Sequence, residues 1–144
     1  MTPVRDTRLL PALTSRRSAR ALALATGLFR SAAGPALLAR PETLARLLGV
    51  DSITARRTEW ITRLLAGRET ALGLGTLHAA LTGRPVRPWL LAQAASDATD
   101  AAALLLAVRS GQVSTARALA VTAFASAGTL GELLASLERP RPTG

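Results

Sequence analysis

Apolar residues in this chain cluster into four stretches of helical length, separated by short runs rich in Arg, Gly and Pro. The first covers residues 19–39, the second 60–81 within a helical pattern that begins at 53, the third 89–108 and the fourth 115–137. Each is about 20 residues long, the length a helix needs to cross the hydrocarbon core of a bilayer. Ala and Leu dominate while Val and Ile are few, which favours helix on intrinsic propensity. The pattern predicts an all-α fold, an integral membrane four-helix bundle.

The punctuation between the stretches predicts the rest. Gly34-Pro35 falls inside the first stretch, and the missing proline donor predicts a kink or break over residues 31–35. Pro41-Glu42-Thr43 starts a short amphipathic helix, with Leu44, Leu47 and Leu48 on one face and Gly49 as its C-cap. Too short to span, this helix suits the membrane interface between the first and second spans. Asp51 or Ser52 caps one continuous helix running to residue 81. Gly83, Pro85 and Pro88 make residues 83–88 a turn, and residues 109–112 make another. Trp60 and Trp89 fit positions at the membrane–water interface. Residues 1–18 read as a basic tail, 19–138 as the membrane domain and 139–144 as a flexible C-terminal tail.

Charge sharpens the topology. The net charge is +9, and all 18 basic residues are Arg, as expected of a GC-rich genome. With aromatic residues at 3% and no recognisable module, the arginines argue weakly for a nucleic-acid surface. Flanking apolar helices, they fit loops that meet anionic lipid. The N-terminal tail, the second loop and the C-terminus hold nine Arg against six in the opposite loops, which places both termini in the cytoplasm by the positive-inside rule. The absence of Cys removes disulfides, thiol nucleophiles and thiolate metal sites, and a lone His78 builds no histidine metal site. No Walker loop, dinucleotide fingerprint, zinc pattern or nucleophile elbow occurs, so no cofactor or metal is predicted.

The chemistry that remains is the charge inside the apolar stretches. Arg30 lies in the first, Arg63, Arg68 and Glu69 in the second, Asp97 and Asp100 in the third, and Glu132 in the fourth. Charge within an apolar span is costly and usually has a partner. Helical spacing sorts these residues into stripes. Gln93, Asp97 and Asp100 share one face, as do Glu69, Gly73 and Thr76; Thr26 and Arg30 are one turn apart, and Ala125, Gly128 and Glu132 form a fourth stripe. Small residues beside the polar ones allow close helix approach, so the charged faces are predicted to point inward.

The near balance of three Arg and four acids predicts internal ion pairs that fix helix register. In the leading functional reading, the cluster binds or accommodates a small lipophilic or polar ligand through Arg30, Arg63, Arg68, Gln93 and Glu132. An alternative is a metal-independent intramembrane acid–base enzyme, an isomerase or cyclase acting on an apolar substrate. Asp97, Asp100 and Glu69 are its candidate catalytic residues, because like carboxylates confined in an apolar site resist ionising together. A second alternative is a soluble Arg-rich helical protein that binds an acidic partner.

Several of these residues also carry a resemblance. Arg30 to Gly34, Pro41, Leu47-Leu48-Gly49-Val50, Gly67-Arg68-Glu69 followed by Gly73, and the Asp97/Asp100 pair together resemble small four-helix integral membrane proteins of high-GC bacteria whose function is unassigned. Their general build is similar to that of DoxX-like membrane proteins. The resemblance covers about residues 20–137. It implies a bundle in the bacterial inner membrane with the bilayer as its main partner, and it supplies no activity.

Overall fold

The computed structural model describes residues 16–120, and these residues form helices and turns with no strand. The helices are α1 (Arg16–Ala39), α2 (Glu42–Leu47), α3 (Ser52–Arg57), α4 (Glu59–Thr82) and α5 (Arg87–Arg109). Helix resumes over residues 115–120, where the described region ends. Most of the fourth apolar stretch, with Ala125, Gly128 and Glu132, lies outside the described residues, as do most of the basic N-terminal tail and the C-terminal tail.

Three long helices make the frame. Gly27 of α1 lies against Gly73 and Leu77 of α4, and Gly34 lies against Ala66 and Thr70, so α1 and α4 run antiparallel. Their approach is close because of glycine: a Cβ added at Gly27 would sit 2.9 Å from the Leu77 backbone nitrogen. Helix α5 packs antiparallel to α4, with Gln93 against Thr76 and Asp100 against Arg68. Gly75, two residues from Gly73, faces the Trp89 ring instead of α1. The Gly73-Leu74-Gly75 run thus serves two neighbours in succession, as expected of close helix packing.

The interior is small and polar, and the exterior is large and apolar. Among the described residues, the bulkiest fully buried side chains are Leu90, Gln93 and Thr76. Ala23, Ala66, Ala79 and Ala80 fill most of the remaining core, and Ala19, Ala23, Ala80 and Leu90 cluster where α1 begins and α4 ends. Leu28, Phe29, Leu64 and Leu106 are instead 63%, 56%, 66% and 64% exposed. Among the described residues, two helical segments, Ser18–Ala39 and Arg87–Arg109, are long and apolar enough to cross a membrane. Helix α4 is as long as α1, but Glu59, Arg63, Arg68 and Glu69 interrupt its apolar character, and it does not reach that measure.

The short elements differ from expectation in three places. Helix α1 runs unbroken through Pro35, so the predicted interruption over residues 31–35 is absent at the level of helix continuity. The helix expected from residue 53 to 81 is two helices that meet at Thr58, whose φ of −103° and ψ of 7° leave the helical region. Thr58 Oγ1 donates to Thr54 O at 2.9 Å and to Ala55 O at 3.2 Å, and this side chain-to-backbone competition bends helices. The turn after α4 is also shorter than expected. Gly83 caps α4 with φ 73°, and Pro88 already lies in the first turn of α5, where no backbone donor is needed.

Other local expectations hold. Pro41 precedes α2; the C-cap is Leu48, one residue earlier than expected, and Gly49 follows it with φ 86°. Asp51 caps α3: its Oδ1 accepts from Ile53 N and Thr54 N, both at 3.0 Å. Gly111, at φ 70°, makes the turn after α5.

Candidate functional site

The stripes predicted from helical spacing meet between α1, α4 and α5. Arg30 is buried halfway along α1, and its planar fork splits between two helices. Nη1 donates to Glu69 Oε2 on α4, and Nη2 donates to Asp97 Oδ2 on α5 at 2.6 Å. Their side chains are shielded, at 9% exposure for Arg30, 17% for Glu69 and 11% for Asp97. Two planar donors set at a fixed angle suit such bridging, which a lysine ammonium does not reproduce.

Arg68 extends the chain of charges. Its Nη1 donates to Asp100 Oδ1 at 3.0 Å, its Nη2 donates to Asp100 Oδ2, and Nη2 also lies 3.4 Å from Glu69 Oε1. Among the described residues, charges therefore alternate in the order Asp97, Arg30, Glu69, Arg68, Asp100. The Asp97/Asp100 pair, which looks like a dyad in sequence, is divided between two arginines. Arg68 and Asp100 form the outer end, with side chains 33% and 42% exposed.

A second polar group lies one turn along α5. Gln93 Nε2 donates to Thr76 Oγ1, and Thr76 Oγ1 donates in turn to Leu72 O at 2.7 Å. The Thr76 hydrogen is thus already used, so Gln93 must present its NH₂ to Thr76. That leaves Gln93 Oε1 buried without a hydrogen-bond partner, as are Thr26 Oγ1, Ser96 Oγ and Arg68 Nε. Beside Arg68 a shallow, largely open depression of about 220 Å³ is lined by Ile61, Leu64, Leu65 and Arg68, all on α4.

Of the residues singled out in the sequence, Arg30, Arg68, Glu69, Asp97 and Asp100 are joined in this network, and Gln93 lies on the same face of α5. Arg63 does not belong to it. Arg63 is half exposed and pairs with Glu59 one turn earlier at 3.1 Å, an ordinary i,i+4 pair on the outer face of α4. Glu132 lies outside the described residues. Thr76 is the polar partner that spacing alone had not assigned, although it shares the stripe of Glu69 and Gly73. Among the described residues no group of three or more His, Cys, Asp or Glu is placed to hold a metal ion. No family model, curated protein or solved structure matches this chain.

Proposed function

We propose that the chain is a polytopic protein of the bacterial inner membrane, a four-helix bundle with both termini cytoplasmic. Its Arg/Asp/Glu network locks the helices together and borders a site for a small lipophilic or polar ligand. One observation carries the reading: polar and charged side chains occupy the interior while large apolar ones face outward. A water-soluble bundle places its bulky apolar side chains inside. In the most apolar windows of Ser18–Ala39 and Arg87–Arg109 only 22% and 11% of residues are buried, so these helices are unlike the core helices of a soluble fold.

In a bilayer, small residues and interhelical polar contacts supply the association that apolar burial cannot. Gly27, Gly34 and Gly73 provide the close approach, and Arg30 provides the polar link. Helix α4 crosses in this reading despite its charges, because Arg68 and Glu69 are turned toward partners on other helices. The short helices α2 and α3 lie at the interface, with exposed Leu47 and Ile53 directed into it.

A second reading, intramembrane acid–base catalysis, draws on the three carboxylates, Glu69, Asp97 and Asp100, that the network gathers from α4 and α5. Glu69 and Asp97, which share Arg30, are then the acids to test first.

The chain has no Cys, so single cysteines report topology cleanly. In intact cells and inverted vesicles, Leu106→Cys and Leu28→Cys should resist a membrane-impermeant maleimide from both sides. Arg84→Cys should react only in inverted vesicles. Ready labelling of Leu28→Cys and Leu106→Cys in both preparations would reject the membrane-spanning reading.

A further inference from the structure

One end of the assembly gathers arginines around two short helices. Between α1 and α4 in the chain, α2 and α3 pack on one another, with Ala45 and Ala55 buried. The turn after α5 returns to the same place, where Ser114 N donates to Leu48 O at 3.3 Å. Arg117 lies over the C-terminal end of α2. Its Nη1 donates to Arg46 O at 3.3 Å, and a Cβ added at Gly49 would meet that Nη1 at 3.0 Å. On α3, Ile53 shares a face with Arg56 and Arg57, three and four residues further on. That face is open: Ile53 is 65% exposed, and both arginines are exposed as well. Leu47 on α2 is 61% exposed.

Residues 40–63 and 109–120, which make up this end, hold seven arginines and three acids. All three acids are engaged. Glu42 pairs with Arg46 at 3.7 Å, Glu59 pairs with Arg63 at 3.1 Å, and Asp51 caps α3. Arg40, Arg56, Arg57 and Arg109 are exposed and have no acidic partner among the described residues. Arg117 meets a backbone carbonyl, so its charge is not balanced by a carboxylate.

We propose that the α2–α3 face binds anionic phospholipid. Leu47 and Ile53 enter the acyl region while Arg56, Arg57 and Arg117 meet headgroup phosphates. The proposal names the lipid class met by two helices already placed at the interface, and it rests on that membrane reading. Guanidinium matches phosphate oxygens bidentately, so a phosphodiester uses donors that no acid of the protein takes. A zwitterionic headgroup brings its own cation and answers little of the excess positive charge, whereas each arginine near an anionic surface adds to the attraction. Exposed Ile53 beside Arg56 and Arg57 favours a lipid over a soluble anion, which gains nothing from an apolar neighbour. Nucleic acid fits less well, because base stacking needs aromatic rings and Trp60 is the one aromatic residue in these segments.

The test uses the full chain carrying Trp89→Phe, which leaves Trp60 as its single tryptophan. Trp60 lies in the first turn of α4, three residues after Arg57, and is 61% exposed. In phosphatidylcholine nanodiscs at low salt, its fluorescence reports lipids brominated in the upper part of their acyl chains. Brominated phosphatidylglycerol should associate about fivefold or more strongly than brominated phosphatidylcholine, the ratio that a single arginine at an anionic surface supplies. At ~1 M salt, where the screening length falls to ~3 Å, the ratio should approach one. Arg56→Gln/Arg57→Gln should lose most of the preference, and Arg56→Lys/Arg57→Lys should keep most of it. Arg20→Gln/Arg84→Gln, at the opposite end of the helices, should leave it unchanged.

Equal quenching by the two lipids in the parent at low salt would overturn the proposal and leave the membrane reading in place. Quenching by neither would remove both, because Trp60 would then lie outside the acyl region. A preference unchanged in Arg56→Gln/Arg57→Gln, or lost equally in Arg20→Gln/Arg84→Gln, would place the anionic contact elsewhere and reject this surface. Release of the brominated lipid by soluble glycerol phosphate would reject it in favour of a free-anion site.

Discussion

Arg30 and Asp97, separated by 67 residues, meet through a 2.6 Å hydrogen bond from Nη2 to Oδ2, and the same guanidinium holds Glu69 on a third helix. One side chain thereby ties α1 to both α4 and α5. Removing it takes from Glu69 and Asp97 the cation they share, although Glu69 keeps its 3.4 Å contact with Arg68.

Arg30→Ala should accordingly be the most damaging single substitution in the described region. Breaking a buried pair from one side costs about 3–5 kcal/mol. Thermal unfolding in detergent should show a large drop in midpoint, and Arg30→Lys should recover only part of it because a point charge cannot bridge as a fork does. A midpoint unchanged in Arg30→Ala would show that the network does not hold the bundle.

Arg63→Ala provides the contrast. Arg63 is 50% exposed and its Glu59 partner 29%, so their pair should contribute less than about 1 kcal/mol. The same unfolding measurement should place Arg63→Ala close to the parent protein. A loss comparable to that of Arg30→Ala would return Arg63 to the interior cluster.

The α1–α4 contact makes a steric prediction. Gly27→Val adds a branched side chain where even a Cβ would lie 2.9 Å from the Leu77 backbone nitrogen, so the helices must separate. Overpacking of this kind costs about 1–3 kcal/mol. Gly67→Ala is the control, because a Cβ at Gly67 meets open space. Disulfide trapping between cysteines placed at Ala23 and Ala80, both in the same buried cluster, should slow in Gly27→Val and stay unchanged in Gly67→Ala.

Asp51 predicts a local pH response. Hydrogen bonds from Thr54, from its side chain and its backbone, hold the Asp51 carboxyl below its ordinary value. A carboxylate whose folded pKa is lowered contributes stability that is present above its unfolded pKa and is lost as pH falls through the folded one. Hydrogen exchange over Ser52–Arg57, corrected for intrinsic rates, should therefore rise as pH drops below the ordinary aspartate range of about 4. Asp51→Ala should exchange faster at neutral pH and lose this dependence.

How much was legible in the sequence follows from the geometry of a helix. Periodicity alone brings Gln93, Asp97 and Asp100 onto one face and Glu69, Gly73 and Thr76 onto another, and those faces do meet. Which arginine serves which acid depends on how α1 and α5 each lie against α4, and no spacing within one helix encodes that. Arg63 went astray although a local signal was present, since Glu59 sits four residues before it. The break at Thr58 likewise has a local trace in the Thr54–Thr58 spacing, but it forms only because the Thr58 hydroxyl turns back on the helix. Pro35 misleads in the other direction, for α1 stays helical through it while packing against α4 at Gly34.

The central claim is that this inside-out helical assembly is built for a bilayer, and alkaline carbonate extraction of cell membranes tests it most directly. With the untagged full chain expressed at low level, the protein should remain in the membrane pellet at high pH and enter solution only with detergent. Recovery in the soluble fraction without detergent, as a monodisperse species, would contradict the account.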